Sequence, residues 1–207
     1  MTTLTQSRPN NDAWSSRGPS APWIAAGVVL IIAASAAILY AMGRVPICAC
    51  GYVKFWHGQV ISSENSQHVS DWYTFTHVTH GFIFYAVATF LRRGLWIPLS
   101  FGVALLGATG VEALWEIIEN TDMVIQRYRD ATIALDYYGD SVLNSICDIL
   151  AMIAGFFLAR WLPVGVSLGL NVLSEALLAL VIRDNLLLNI IMLIYPLQSI
   201  KLWQSGG

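Results

Sequence analysis

Charge is scarce in this chain: of 207 residues only 12% are Asp, Glu, Lys or Arg, while 56% are hydrophobic and the mean hydropathy is +0.60. A soluble domain carries about 25% charged residues, so the deficit excludes water as the solvent of most of the surface and points to lipid. A net charge of -2 and a pI near 6.0 leave no basic field for phosphate backbones, which excludes nucleic acid as a partner. The three cysteines include no Cys-x-x-Cys pair. No internal repeat is visible, and the loops are too short to cover a second core, so the chain reads as one bundle.

What is present is a series of apolar runs. Residues 1–21 are rich in Ser, Thr, Asn and Pro, a composition that buries too little apolar area to offset ordering entropy, and predict a disordered cytoplasmic tail. Pro22–Met42 follows, too long for the roughly 7–15-residue core of a signal peptide. Further spans read as Thr76–Leu91, Leu95–Ile118, Val142–Trp161, Val164–Ile182 and a shorter Leu186–Leu197, against a requirement of about 20 residues per crossing. The last is marginal, with Pro196 and Gln198 at its end, so a five-span form is the alternative to six. Residues 22–207 then form a single transmembrane domain with outer loops 43–75 and 119–141.

Placing the tail inside puts Arg8, Arg17, Arg92, Arg93, Arg160 and Lys201 in the cytoplasm, against Arg44, Lys54, Arg127, Arg129 and Arg183 outside. The count is nearly even, and Arg92-Arg93 in a tight turn decides the orientation. Trp56, Trp72, Trp96, Tyr137, Tyr138, Trp161 and Trp203 fall near span ends, as interfacial aromatics do.

Ionisable groups inside spans are costly, so their placement is informative. His77 and His80 are three residues apart on one helix face. Glu112, Glu116 and Glu119 follow at steps of four and three, which aligns them on one stripe about 10 Å long. Asp140, Asn144 and Asp148 form another stripe, and Asn171 with Glu175 a fourth pair. Counting about 1.5 Å per residue puts the first three stripes in the same outer half of the bilayer, facing one another. Five carboxylates cannot all ionise there without cations: a divalent metal, raised carboxylate pKa values, or Arg127 and Arg129 must compensate.

Imidazole nitrogens with carboxylate oxygens suit Zn, Mn or Fe, and helical bundles build metal sites from such stripes. The expected ligands are His77, His80, Glu116, Glu119 and Asp140, with Asp71 or His68 at the mouth as general base. The competing reading is a hydrogen-bonded network that locks the helices together without chemistry. Cys48 and Cys50 allow a disulfide, a metal clip with His57, or plain loop thiols. Cys147 reads as a packing residue, and Gly81, Gly102, Gly107 and Gly110 as points of close helix approach.

At Cys48-Ala49-Cys50-Gly51-Tyr52, Glu64-Asn65-Ser66-Gln67-His68, Asp71-Trp72-Tyr73-Thr74, Trp115-Glu116-Ile117-Ile118-Glu119-Asn120, Tyr137-Tyr138-Gly139-Asp140-Ser141 and Arg183-Asp184-Asn185 the chain resembles a bacterial membrane family known only by a domain of unknown function. That resemblance covers nearly everything after the tail and implies no activity. A fainter likeness is to VanZ-like membrane proteins, which pair an acidic residue and a histidine at the start of one span (here Asp71 with His77) with an Asp/Asn span (Asp140 or Asp148 with Asn144). It implies an envelope or lipid-linked role. The sequence thus predicts an all-α, multi-pass protein of the bacterial inner membrane, with membrane lipids as its surroundings. Its polar site would perform metal-dependent hydrolysis or group transfer on a lipid or lipid-linked substrate; a small carrier or a non-enzymatic assembly factor is the alternative.

Overall fold

A computed structural model describes residues 14–15, 18–132 and 136–206; the expected disordered tail lies, up to residue 13 and at residues 16–17, outside the described residues. Eight helices and no strand make up the described part: α1 (Ala21–Ala41), α2 (Thr74–Arg93), α3 (Phe101–Glu119), α4 (Asp122–Ala131), α5 (Val142–Trp161), α6 (Val164–Val181), α7 (Leu186–Ile194) and α8 (Gln198–Ser205). The all-α class is as expected. Helices α1, α3, α5 and α6 are each long and apolar enough to cross a bilayer. Helix α2, at 20 residues, matches them in length, but its His, Thr and Arg side chains make it less apolar.

Local chemistry explains the boundaries. Pro22 sits in the first turn of α1, where its missing N–H costs nothing. The third helix begins later than expected, at Phe101 rather than Leu95, because Pro98 interrupts the run and the Ser100 side chain caps the helix by accepting from Val103 N–H. Ser141 caps α5 in the same way through Asn144 N–H at 3.1 Å. The first N–H groups of α5, at Val142 and Leu143, donate to the carbonyls of Val45 and Pro46, so the loop after α1 satisfies donors that the helix itself leaves open.

Helix α2 packs along α5 and also contacts α3 and α6, while α1 lies on α3 and α5. The α2–α5 pair meets backbone to backbone: a Cβ on Gly81 would strike Met152 O and Phe156 N, and one on Gly155 would strike Val78 O. Gly102 likewise receives Ile24, but Gly107 and Gly110 face open space, so close approach explains Gly81 and Gly102 and not the other two. Near the Arg93 end, Ile24, Ala88, Ala104, Leu105, Ala108, Met152 and Phe156 form an apolar core, and the Trp14 ring lies 5.7 Å from those of Tyr85 and Phe101, tilted to the first and edge-on to the second. The polar stripes occupy the opposite half, beneath the loop 42–73. Helix α6 buries only Leu178 and presents an apolar outer face.

The expected sixth span does not form. Helix α7 has nine residues, about 14 Å of rise against a hydrocarbon core of about 30 Å, and Tyr195-Pro196 end it. The chain then turns back: Gln204 Nε2 donates to Asp184 Oδ1 at 3.1 Å, and Lys201 Nζ donates to Asp130 O at 2.6 Å. Lys201 therefore lies on the same face as Asp130, which overturns its assignment to the tail side and turns the basic count from six against five into five against six. The expected outer loop 119–141 contains helix α4; Thr121, whose side chain accepts from Val124 N–H, is the cap that starts it. In cells carrying single cysteines in a background whose own cysteines are serine, Asp130→Cys and Lys201→Cys should react from the same side of the membrane and Arg93→Cys from the other. Labelling of positions 130 and 201 from opposite sides would contradict this arrangement.

Candidate metal centre

Three helices bring the polar cluster together. On α2, the three-residue step between His77 and His80 brings the rings edge to face, 5.2 Å apart. Facing them from α3, Glu112 is fully buried and accepts from both: Oε1 lies 2.6 Å from His77 Nδ1, and Oε2 lies 3.0 Å from His80 Nδ1. With Nδ1 as the donor nitrogen in each ring, Nε2 carries the free lone pair that a metal or proton would use. One turn along α3, Glu116 Oε1 is 3.4 Å from His77 Nδ1. From α5, Asp148 Oδ2 is 3.9 Å from His77 Nε2, too long for a hydrogen bond and about half an ångström beyond the roughly 3.4 Å between two ligand atoms on a tetrahedral ion at about 2.1 Å each. Its other oxygen accepts from Thr74 Oγ1 at 3.2 Å.

Two sets of ligand atoms come within 4.8 Å of one another in this cluster: His77, His80 and Glu112, and His77, Glu116 and Asp148. Glu112 and Asp148 thus stand where the sequence reading placed Glu119 and Asp140. Those two sit nearer the helix ends and are otherwise engaged: Glu119 is hydrogen-bonded to Tyr128, and Asp140 accepts from Asn120 Nδ2 at 2.7 Å and Tyr137 Oη at 3.0 Å. Depth separates the sets, since Glu112 is seven residues inward of Glu119.

The remaining polar residues hold backbone. Asp71 is buried, with its oxygens accepting from Ser66 N–H and Tyr73 N–H. His68 Nδ1 accepts from Lys54 N–H at 3.2 Å, which leaves Nε2 as donor toward Glu64 at 3.1 Å. Neither lines the cavity above the histidines. Asn144 Nδ2 donates to His68 O at 2.9 Å and ties the loop to α5. Glu175 accepts from Leu186 and Leu187 N–H and, with the Asn185 side chain on Leu188 N–H, caps α7. Cys48 and Cys50 are joined in a disulfide, and Cys147 is half-buried with a free thiol.

Of the three ways to compensate the carboxylates, the arginines are not used among the described residues. Arg127 donates to Leu193 O and Ile194 O, Arg129 lies over the Tyr138 ring, and Arg44 reaches Tyr138 O and Asp122. None approaches Glu112, Glu116 or Asp148. A cavity of about 80 Å³ opens over His77, His80 and Asp148, room for a few waters or an ion with its remaining ligands. Its lining is mixed, with Tyr73, Asp140 and Asp184 among the polar residues and Trp115, Leu186, Ile190 and Leu193 among the apolar ones.

Tyr73 and Asp184 carried no signal of a site in the sequence, because their partnership crosses from α2's start to the α6–α7 turn. Tyr73 Oη donates to Asp184 Oδ2 at 2.9 Å. Burial pushes the Asp140 carboxyl up to about 6, opposed by the bonds from Asn120 and Tyr137. It also pushes Asp184 up to about 6, opposed by those from Tyr73 and Asn185 N–H.

Fold and cluster together define an all-helical protein, with four helices apolar enough to cross a bilayer, built around a buried His/Glu/Asp centre. The chain belongs to the DUF2585 family: the profile described as "Protein of unknown function (DUF2585)" matches residues 39–206, which takes in every residue of the cluster. Similar proteins include a UPF0314 protein of Sinorhizobium fredii, 58% identical over 80% of this chain and 82% of its own. A UPF0314 protein of Paracoccus denitrificans is 52% identical over 90% and 94%, and one of Brucella anthropi 43% identical over the whole of both chains. None of these matches carries a VanZ-like description. No solved structure matches the chain.

Asp184 gives a pH test. Its carboxyl is raised from 3.8 to about 6, so the stability it contributes is present below about pH 4 and lost as pH rises to about 6, roughly 3 kcal/mol for a shift of about two units. Asp184→Asn keeps Oδ1 for Asn185 N–H and Gln204 and can donate to Tyr73 Oη. Its thermal midpoint relative to the parent should therefore rise between pH 4 and pH 7 by the equivalent of about 3 kcal/mol; a pH-independent offset would contradict the assignment.

Proposed function

We propose that the protein is an integral protein of the bacterial inner membrane whose His77/His80/Glu116/Asp148 cluster binds a divalent metal and acts on a lipid or lipid-linked substrate by hydrolysis or group transfer. The observation that carries this reading is Glu116. It is fully buried, neither carboxylate oxygen accepts a hydrogen bond, and the nearest positive partner is the His77 ring. A buried, unsatisfied carboxylate costs several kcal/mol, and a bound ion is one of the few things that offsets such a cost.

In this reading Glu112 is the partner that orients both imidazoles, as carboxylates commonly do behind metal-bound histidines. His77, Glu116 and Asp148 supply ligand atoms, and His80 adds a second ring at the cavity wall. Zn, Mn or Fe suit such a nitrogen and oxygen set. The bound ion would polarise a phosphoryl or carbonyl oxygen and acidify its water. Proton transfer falls to Asp140, which lines the cavity with a carboxyl raised to about 6, rather than to Asp71 or His68, whose polar atoms are committed to the loop. The mixed lining, with Trp115, Leu186, Ile190 and Leu193 beside the histidines and carboxylates, suits a head group presented with an acyl or prenyl chain attached. The tail is assigned to the cytoplasm through Arg92, Arg93 and Arg160 at the same end.

A structural network is the second reading, favoured by Glu112, which satisfies both imidazoles without any ion. The two part over Glu116→Gln, which keeps shape but gives up the charge that ligation uses. A metal site predicts about one ion per chain in the parent purified in detergent, and at least a tenfold lower content in the variant with its helical fold retained. Absence of stoichiometric metal in both proteins, or equal metal in both, with an unchanged or higher midpoint in the variant, would leave the network reading standing.

A further inference from the structure

The loop between α1 and α2 holds a second set of ligand atoms that the buried centre does not use. The sulfurs of Cys48 and Cys50, a Glu64 oxygen and a His68 ring nitrogen all lie within 4.8 Å of one another. A disulfide joins the two cysteines, with only two residues of separation, and a ring that small removes little chain entropy from the unfolded state. Stability therefore gives little reason for the pair. Its surroundings do. Gly51 N–H donates to Cys48 O at 3.0 Å, and Gly51 takes a φ of 84°, a left-handed conformation suited to glycine. That turn aims Cys50 N–H at Cys48 Sγ, 3.2 Å away, and an N–H directed at sulfur favours the thiolate.

The other two groups are equally well placed. His68 is buried and its Nδ1 is taken by Lys54 N–H, so Nε2 is the nitrogen turned toward Glu64. Tyr52 stacks on the His68 ring at 5.8 Å and donates from its hydroxyl to Glu64 at 2.8 Å. Glu64 is held well below the usual carboxylate range, at about 2, first by Lys54 and then by His68 and Tyr52. Two sulfurs, one imidazole and one carboxylate make a four-ligand set of the kind zinc takes in tetrahedral sites.

We propose that in the dithiol state Cys48, Cys50, Glu64 and His68 bind one zinc ion, and that formation of the Cys48–Cys50 disulfide releases it. His68 Nε2 carries the ring proton while Nδ1 accepts from Lys54 N–H, so zinc takes Nε2 as that proton moves to Nδ1 and the Lys54 contact opens; binding then deprotonates the two thiols and frees two protons. Release follows when an external disulfide accepts two electrons: the Cys48–Cys50 bond forms, the external S–S bond breaks, its halves leave as two thiolates, and Zn²⁺ departs without a change in its own charge. Cys50 is exposed, which gives the external reagent access. Lys54, 2.6 Å from Glu64 and 3.3 Å from His57 Nδ1 with its side chain 39% exposed, is the cation that zinc replaces.

The test needs no mutation to begin. Full-length protein in detergent, either reduced with a phosphine or oxidised, is titrated with Zn²⁺ and with Co²⁺. Reduced protein should bind one more zinc per chain than oxidised protein, and its cobalt form should show a thiolate-to-metal charge-transfer band that the oxidised form lacks. The ligand sets of the buried centre contain no cysteine, and a Cys48→Ser/Cys50→Ser variant keeps the free thiol of Cys147, so a band lost in that variant reports this loop whatever the buried centre does. Glu64→Gln should weaken zinc binding by the reduced protein at least tenfold, and the Cys48→Ser/Cys50→Ser variant should lose the band. Equal zinc stoichiometry in the two redox states, or a reduced cobalt form without the band, would overturn the proposal.

Discussion

Everything at one end of this bundle depends on how Glu112 is neutralised. A carboxylate placed among apolar helices must find positive charge or hydrogen-bond donors, and here two imidazoles from one face of α2 supply them at 2.6 and 3.0 Å. That contact sets the register of α2 against α3. The glycine contact between Gly81 and Gly155 sets α2 against α5 and carries Asp148 to the other side of the His77 ring. Glu116, one turn from Glu112 on the same stripe, is then brought to the cluster with no donor left for it. Its bare carboxylate follows from the same geometry that satisfies its neighbour.

The rest of the molecule keeps that end closed. The loop 42–73 is tied down by its own buried polar residues: Asp71 holds two loop N–H groups, His68 two further atoms, and Asn144 and Ser141 reach up from α5 to the carbonyls of His68 and Gln67. From the far side, Tyr73 and Gln204 converge on Asp184 and anchor the α6–α7 turn and α8. The opposite half of the bundle packs around Met152 and Phe156; its buried charge is Arg92, which lies over the Trp14 ring, and among the described residues it holds no His/Glu/Asp cluster.

The stripes on α2, α3 and α5 were legible in the sequence because helical periodicity alone aligns residues three and four apart, and counting depth showed that they share one half of the bundle. Which carboxylates meet the histidines was not legible. Periodicity gives a face but not the relative height of two helices, and the sliding of α2 on α3 selects Glu112 over Glu119. Side-chain competition was equally invisible: Asn120 and Tyr137 claim Asp140, and Tyr128 claims Glu119, from segments far apart in the chain. The sixth span failed for a different reason. Leu186–Leu197 has the apolar composition of a membrane helix, but Tyr195-Pro196 ends it after nine helical residues, and the pull of Lys201 toward Asp130 is a tertiary contact that hydropathy does not encode.

The most direct measurement is X-ray absorption at the metal edge on protein purified in detergent with the Cys48–Cys50 disulfide intact. A metal centre at His77, Glu116 and Asp148 predicts a stoichiometric ion whose nearest shell contains imidazole nitrogen and carboxylate oxygen and no sulfur. A protein with no metal above background, or an ion surrounded by sulfur, would contradict the account of the buried cluster as a metal site.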